Sequence, residues 1–155
     1  MTDISQEFLD KQLSYAVQSG KYGTAQQLIA LGAKSDVETL RYAALNCQDN
    51  VLIMLLATGV KPDAKILREV VEKSSQNRLR LILATGVKPD AATLRLAVAR
   101  CYLEPLKMLL ATGVKPDAET LSYAVKNCSA ERVKLLTDAL KDSAPKQNSS
   151  PQNKP

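Results

Sequence analysis

Apolar residues recur along the chain with a 27-residue period, and each period holds two stretches with helical spacing. The segment ATGVKPDA shows the period directly, because it occurs three times letter for letter, beginning at Ala57, Ala84 and Ala111. Extending the same step in both directions divides residues 9–143 into five repeats. The repeats cover residues 9–35, 36–62, 63–89, 90–116 and 117–143.

The five repeats also carry the same type of residue at equivalent positions outside the ATGVKPDA segment. Position 5 of every repeat is leucine, and position 8 is alanine or valine. These residues are Leu13, Leu40, Leu67, Leu94 and Leu121 at position 5, and Ala16, Ala43, Val70, Ala97 and Ala124 at position 8. Positions 5, 8, 9 and 12 are apolar or small, which places them on one face of a helix. The first half of each repeat is therefore predicted to be an amphipathic helix with this face in the core.

Aspartate and glycine mark where the predicted helices begin and end. An aspartate, a favoured N-cap residue, opens each of the last four repeats, and a helical pattern follows it. These aspartates are Asp36, Asp63, Asp90 and Asp117. A second apolar stretch, such as VLIMLLAT, ends at Gly59, Gly86 or Gly113, where glycine supplies the left-handed residue and the next valine can complete a Schellman-like cap. ATGVKPDA is thus predicted to end one helix, turn and start the next.

The stretches ETLRYAALN (38–46) and LLATGVKPD (55–63) resemble the ankyrin repeat, with its Thr-Pro-Leu-His-x-Ala-Ala helix and Leu-Leu-x-x-Gly-Ala-x-Pro-Asn ending. Two features depart from that family. The family period is about 33 residues, and the residues missing here fall where ankyrin repeats form a β-hairpin finger. The Thr-Pro-Leu-His and Gly-His signatures are also replaced, by Thr-Leu-Arg-Tyr and Cys-Gln in the second repeat. The resemblance implies an all-α fold, an ankyrin-like α-solenoid of five stacked helix-turn-helix units without fingers; a generic array of helical hairpins is the alternative.

Both ends of the repeat region differ from its middle. Residues 1–8 precede the first repeat and are expected to form an N-terminal arm. The second helix of the first repeat carries Thr24, Gln26 and Gln27, polar residues of the kind that a capping repeat needs. Residues 144–155, APKQNSSPQNKP, are expected to be a disordered polar tail, because they offer almost no apolar surface to bury.

The composition argues against catalysis. The chain has no histidine, the commonest general base and metal ligand, and no glycine-rich phosphate loop. Glu69 and Glu72 could form a carboxylate pair, but Lys65, Arg68 and Lys73 beside them favour a solvated ion-pair face. We therefore expect no enzyme activity, no catalytic residue, no cofactor, no metal and no small-molecule substrate.

The three cysteines share position 12 of their repeats. They are Cys47, Cys101 and Cys128, and other repeats carry Gly20 and Ser74 there. This pattern favours a small residue at the end of the first helix. Packed helices lie about 8–10 Å apart, whereas disulfide Cα atoms lie within about 7 Å. The three cysteines are therefore expected to be unpaired thiols, and unpaired thiols favour a reducing compartment.

The chain shows no segment that would direct it to a membrane or out of the cell. Its first residues, MTDISQEFLDKQL, contain acidic residues and no apolar run, unlike a secretory signal. No stretch approaches the uninterrupted apolar length of a membrane span. We expect a cytoplasmic protein with no membrane partner.

Basic residues recur on two repeat positions, and they suggest a binding face. Lysines stand on the inter-repeat loops, at Lys34, Lys61, Lys88 and Lys115. Arg41, Arg68 and Arg95 share position 6, on the side of the first helix opposite the predicted core, which is concave in an ankyrin-like stack. The candidate partner-binding residues on and beside that side are Glu38, Arg41, Tyr42, Leu45, Lys65, Arg68, Glu72, Ala92, Arg95 and Ala99. Ordinary solvation is the alternative for the lysines, and hydrogen bonding between repeats is the alternative for the arginines.

The function expected from this pattern is protein binding without catalysis. Repeat arrays offer extended binding surfaces, and a protein partner with acidic residues and an apolar anchor would complement the arginines and Leu45. Nucleic-acid binding through the basic positions is the alternative, opposed by Glu38, Glu72 and Glu119 on the same face and by the lack of an aromatic stacking row. A role as a spacer or an assembly cap that occludes a partner's surface is a third reading.

Overall fold

The computed structural model describes residues 4–73, 75–100 and 102–142, and every regular element in these ranges is an α-helix. The all-α prediction is confirmed for this part of the chain. The helices are α1 (Gln6–Gln18), α2 (Tyr22–Ala30), α3 (Val37–Asn46), α4 (Asp49–Leu56), α5 (Ala64–Glu72), α6 (Gln76–Leu83), α7 (Ala91–Ala99), α8 (Leu103–Leu110), α9 (Ala118–Asn127) and α10 (Ala130–Asp142).

Consecutive helices pack against each other as hairpins, and each hairpin corresponds to one sequence repeat. The chain divides into two compact units, an N-terminal unit of Met1–Lys88 and a C-terminal unit of Pro89–Pro155. In the N-terminal unit, α3 packs between α1 and α5, and α4 packs on α6. In the C-terminal unit, α7 packs on α9 and α8 on α10. First helices therefore contact first helices of the neighbouring repeat within each unit.

The four aspartates cap their helices as predicted. Asp36, Asp63, Asp90 and Asp117 have extended backbones and immediately precede α3, α5, α7 and α9. Each carboxylate accepts a hydrogen bond from the backbone N–H three residues later, at 2.7, 2.9, 2.8 and 2.7 Å respectively. Each bond satisfies one of the N–H groups that a helix start leaves without an intrahelical acceptor.

The glycines of ATGVKPDA have the predicted left-handed conformation, with φ of 95° at Gly59, 91° at Gly86 and 94° at Gly113. The helices themselves end earlier than expected, three residues before each glycine, because the Ala-Thr-Gly segment already forms the turn. The threonine of each copy contributes a bond that the pattern did not suggest. Its hydroxyl donates to the carbonyl three residues back, at 2.7 Å for Thr58, 2.7 Å for Thr85 and 2.6 Å for Thr112.

The core contains residues of the predicted repeat positions and of one further position, position 4. The leucines at position 5 are fully buried in the first four repeats, and so are the residues of position 8 in all five. Position 4 is also buried, at Thr39, Ile66, Thr93 and Thr120. Sequence periodicity missed it because this burial comes from packing between helices; Thr120, for example, lies beside α7 of the preceding repeat.

The last repeat departs from the predicted core. Val125 at position 9 is exposed and Leu121 is half-buried, although both were expected in the core. In the described residues no helix follows α10, so nothing there packs on the side of α9 that carries Val125.

The expected N-terminal arm is shorter than predicted. The hydroxyl of Ser5 accepts a hydrogen bond from Phe8 N–H at 3.1 Å and caps α1, which begins at Gln6. Residues 6–8 therefore belong to a helix, not to an arm as predicted from the repeat boundary. The predicted tail, residues 144–155, lies outside the described residues.

None of the helices in the described ranges combines the length and apolar character that crossing a bilayer requires.

Replacing Leu67 by alanine is expected to lower the free energy of unfolding by about 2–5 kcal/mol, because the leucine is fully buried in a close-packed interior. Leu121→Ala changes the same repeat position and should cost less, since Leu121 is only half-buried. Urea unfolding followed by circular dichroism measures both variants. Equal losses would show that repeat position, not burial, sets the contribution of this leucine.

Candidate binding faces

The residues predicted to bind a partner are divided between the two units. Glu38, Arg41, Tyr42, Leu45, Lys65, Arg68 and Glu72 lie on α3 and α5 of the N-terminal unit. Ala92, Arg95 and Ala99 lie on α7 of the C-terminal unit. We call these the N-terminal and C-terminal first-helix faces. The charged residues of positions 3 and 10 are exposed, as predicted, whereas the three arginines of position 6 are half-buried.

Arg41 bridges two repeats. Its Nε donates to both carboxylate oxygens of Glu69 on α5, at 2.9 and 3.0 Å, and its Nη1 lies 3.7 Å from Glu38. The hydrogen bond to Glu69, and then its charge, raise the pKa of Arg41 above its ordinary value. The guanidinium is thus held between α3 and α5, as the inter-repeat alternative for this arginine predicted. A partner carboxylate would have to compete with Glu69 for it.

Tyr42 also links neighbouring repeats, because its hydroxyl donates to the carbonyl of Gln18 at 3.4 Å, at the end of α1. Leu45 is half-buried on the same helix, one turn beyond Arg41. On α5, Lys65 and Glu72 are exposed and Arg68 is half-buried between them. The N-terminal first-helix face therefore combines exposed charges with partly buried side chains that connect helices.

Arg95 on α7 pairs with an acid of the next repeat, as Arg41 does, but at a different repeat position. Its Nη1 lies 3.0 Å from an oxygen of Glu119 on α9. The pair stands at the edge of a cavity of about 170 Å³ between the two helices. The cavity is lined by Arg95, Val98, Ala99, Glu119, Thr120 and Tyr123. Arg95 and Ala99, both predicted from sequence, therefore share one concave site.

The aromatic wall of this cavity was not predicted. Tyr123 is 41% exposed and stands one turn beyond Glu119 on α9. A signal for it existed, because position 7 carries tyrosine in three repeats, at Tyr15, Tyr42 and Tyr123. Exposed tyrosine beside a small apolar hollow is typical of surfaces that bind other proteins.

Asp117 begins α9 beside this site. The hydroxyl of Thr120 and the hydrogen bond from its backbone N–H lower the pKa of the Asp117 carboxyl, and the charge of Arg95 lowers it further. The start of α9, which positions Glu119 and Tyr123, is therefore stabilised by an ionised carboxylate.

Arg78, which the sequence did not single out, holds the third repeat on the second. Its Nε donates to Asp49 at 3.0 Å, its Nη1 donates to the carbonyl of Ala44 at 2.8 Å, and its Nη2 donates to the carbonyl of Cys47. Ala44 and Cys47 lie at the C-terminal end of α3, where carbonyls lack intrahelical donors and attract a positive charge. The available signal was an arginine at position 16, where the second and fourth repeats have the buried Val51 and Pro105.

The two described cysteines of position 12 stand at helix ends, as predicted. Cys47 and Cys128 are the C-cap residues of α3 and α9. Cys47 is buried and accepts from the Tyr22 hydroxyl at 3.7 Å, and this contact raises the pKa of Tyr22. The thiol of Cys128 donates to the carbonyl of Val98 at 3.5 Å. The prediction for Cys101 concerns a residue outside the described ranges.

The remaining candidate groups offer little chemistry. The loop lysines Lys34, Lys61, Lys88 and Lys115 are all exposed, which is what solvation alone would produce. In the ranges that the structure describes, no group of histidine, cysteine, aspartate and glutamate side chains is arranged to hold a metal ion.

No protein-family model matches the chain, and no curated protein is similar to it at a significant level. The ankyrin-like resemblance therefore rests on the repeat pattern and the residues that carry it.

Arg78→Met is expected to lower the free energy of unfolding by about 1–3 kcal/mol, because two carbonyls at the end of α3 lose charged donors. Arg80→Met is the matched control, since Arg80 is exposed on the same helix and donates to Asn77 nearby. Its effect should stay within about 0.5 kcal/mol. Urea denaturation of both variants checks this, and a loss in Arg80→Met as large as that in Arg78→Met would contradict the inter-repeat role.

Acid should destabilise the C-terminal unit through Asp117. The pKa of this carboxyl is lowered in the folded state, so its contribution is complete above the unfolded pKa of about 3.9 and is lost as the pH falls through the lower folded pKa. Asp117→Asn can still accept the capping bond but does not titrate, so this variant should lose less stability in acid. Urea midpoints measured from neutral to acidic pH test this, and parallel curves for the two proteins would refute it.

Proposed function

We propose that this protein is a non-catalytic binding module, an ankyrin-like α-solenoid without β-hairpin fingers that holds a partner protein on its first-helix faces. The 27-residue repeat and the packing of first helices on first helices within each unit support the solenoid architecture. In such an array the side chains between the packed helices stabilise the fold, while the outward positions are available to a partner.

The cavity between α7 and α9 is the observation that carries this proposal. Its volume of about 170 Å³ is well below the roughly 300–1,000 Å³ of typical small-molecule sites. It suits one apolar side chain inserted by a partner, with Val98 and Ala99 in the lining and Tyr123 at its wall. Tyrosine and arginine contribute a large share of binding energy in protein interfaces, especially around such an anchor.

The positive charges near the cavity and on the N-terminal first-helix face favour a partner with acidic residues. Arg95 is half-buried and already faces Glu119, so an acidic group of the partner would share a guanidinium that is held in place. Lys65 on the N-terminal first-helix face is exposed and offers a second cation. A protein segment with one apolar anchor and a neighbouring acidic residue fits the cavity and Arg95, while Lys65 is a separate candidate contact on the N-terminal first-helix face.

Nucleic-acid binding is less well supported. Arg41 and Arg95 are each paired with a glutamate, which reduces the positive charge available to phosphates on these faces. The exposed loop lysines remain the candidate contacts for that reading, and they provide its test.

Ala99→Leu should fill the mouth of the cavity and weaken partner binding by about tenfold or more, and Tyr123→Ala should do the same by removing its aromatic wall. The partner is first captured from a lysate of the source organism with the wild-type protein. Binding of the purified partner is then measured by calorimetry. Ala84→Leu, an exposed alanine at the end of α6, is the size-matched control and should bind normally.

Substitutions of the loop lysines distinguish protein binding from nucleic-acid binding. Lys61→Glu combined with Lys88→Glu should leave partner binding nearly unchanged and weakly dependent on salt. If this variant abolished binding while Ala99→Leu did not, the loop edge would be the functional surface. A steep loss of affinity with salt for a captured nucleic acid would favour phosphate recognition instead.

A further inference from the structure

The last hairpin exposes apolar residues whose equivalents are buried in the other repeats. Val125 at position 9 is 63% exposed, and its equivalents are at most 1% exposed. The equivalents are Val17, Ala44, Val71 and Val98. Val133 at position 17 is half-buried, whereas the same position is at most 1% exposed in the first four repeats. Among the described residues, nothing covers this side of the hairpin of α9 and α10, which is therefore an exposed stacking surface.

A groove runs along this surface between α9 and α10. Its volume is about 570 Å³. The groove is lined by Val125, Cys128, Ala130, Val133, Lys134, Thr137, Asp138 and Lys141. We call these residues the C-terminal face. Both helices contribute valines to it, and its α10 side carries Lys134, Asp138 and Lys141, with opposite charges one helical turn apart.

The first hairpin is built differently at the opposite end of the repeat series. Positions 4 and 16 are buried at Thr39 and Val51 in the second repeat. The first repeat carries Gln12 and Thr24 at these positions, and both are exposed. The first hairpin is thus polar where later repeats are buried, whereas the last hairpin retains its valines.

We propose that the C-terminal face is a self-association surface through which two copies of this chain pack about a two-fold axis. This inference goes beyond the proposed binding function and does not depend on it. In a two-fold interface the same patch meets itself, so its charges must be self-complementary. Lys134 and Asp138 meet this requirement, because two antiparallel α10 helices place the lysine of each copy opposite the aspartate of the other. The valines of both copies then cover each other.

Other occupants fit the face less well. A head-to-tail stack would set Val125 and Val133 against the polar Gln12 and Thr24 of a second copy. Residues 143–155 contain only alanine and proline as apolar residues, so they offer no large side chain to fill the groove. Self-packing covers the valines and pairs the charges at the same time.

Val125→Glu should raise the dimer dissociation constant by about tenfold or more, because two carboxylates would face each other at the centre of the interface. Ile53→Glu is the matched control, since Ile53 is 51% exposed on α4 in the other unit. Sedimentation velocity over a wide concentration range gives the dissociation constants. Circular dichroism checks that the exposed substitutions leave the helices intact.

A charge-exchange experiment tests the two-fold geometry. Lys134→Asp and Asp138→Lys should each dissociate, because each homodimer then places like charges opposite each other twice. An equimolar mixture of the two variants should form a heterodimer, in which both pairs regain opposite charges. Native mass spectrometry distinguishes the heterodimer from the homodimers once one variant is isotopically labelled.

Three results would overturn the proposal. The first is a wild-type protein that stays monomeric at every concentration. The second is a series of growing oligomers, which indicates head-to-tail stacking. The third is a mixture of the two charge variants that remains monomeric.

Discussion

The packing of each first helix on the first helix of a neighbouring repeat is the interaction on which the rest of the structure depends. A hairpin of 27 residues cannot enclose its own apolar face, so positions 4, 5 and 8 are buried only when a neighbour covers them. Thr120 and Ala124 show this on α9, where both are fully buried and α7 packs against the helix. Val125 shows the opposite case, because one residue further along the same helix it lies open.

Charged side chains set how neighbouring hairpins meet. Arg41 and Arg95 reach forward from position 6 to an acid of the next repeat, and Arg78 reaches back to the end of α3. These contacts use polar groups at the margins of an apolar interface, where incorrect alignment would leave a charge without its partner. Because these contacts already engage the arginines, a binding partner could use fewer of them. The cavity beside Tyr123 is therefore the stronger candidate binding site.

The two candidate surfaces follow from the same stacking. The cavity between α7 and α9 exists because small residues, Ala99 among them, leave space between helices that otherwise pack closely. The C-terminal face exists because the last described hairpin keeps residues suited to contact with another hairpin. We propose that the first surface binds a partner's side chain and that the second packs on another copy of the chain.

The sequence by itself determined the features that depend on local contacts. The repeat boundaries, the aspartate caps and the left-handed glycines involve bonds or dihedral angles within a few residues, so they could be predicted from spacing and residue type. The same spacing predicted an exposed side of α7, on which Ala99 is exposed whereas Arg95 is half-buried. Only the tertiary structure decided which groups meet across repeats. Arg41 pairs with Glu69 at position 7, whereas Arg95 pairs with Glu119 at position 3, since the partner depends on which acid the neighbouring helix brings within reach. The burial of position 4, the exposure of Val125 and the role of Arg78 were decided in the same way, because each depends on how one helix lies against another rather than on the order of residues along it.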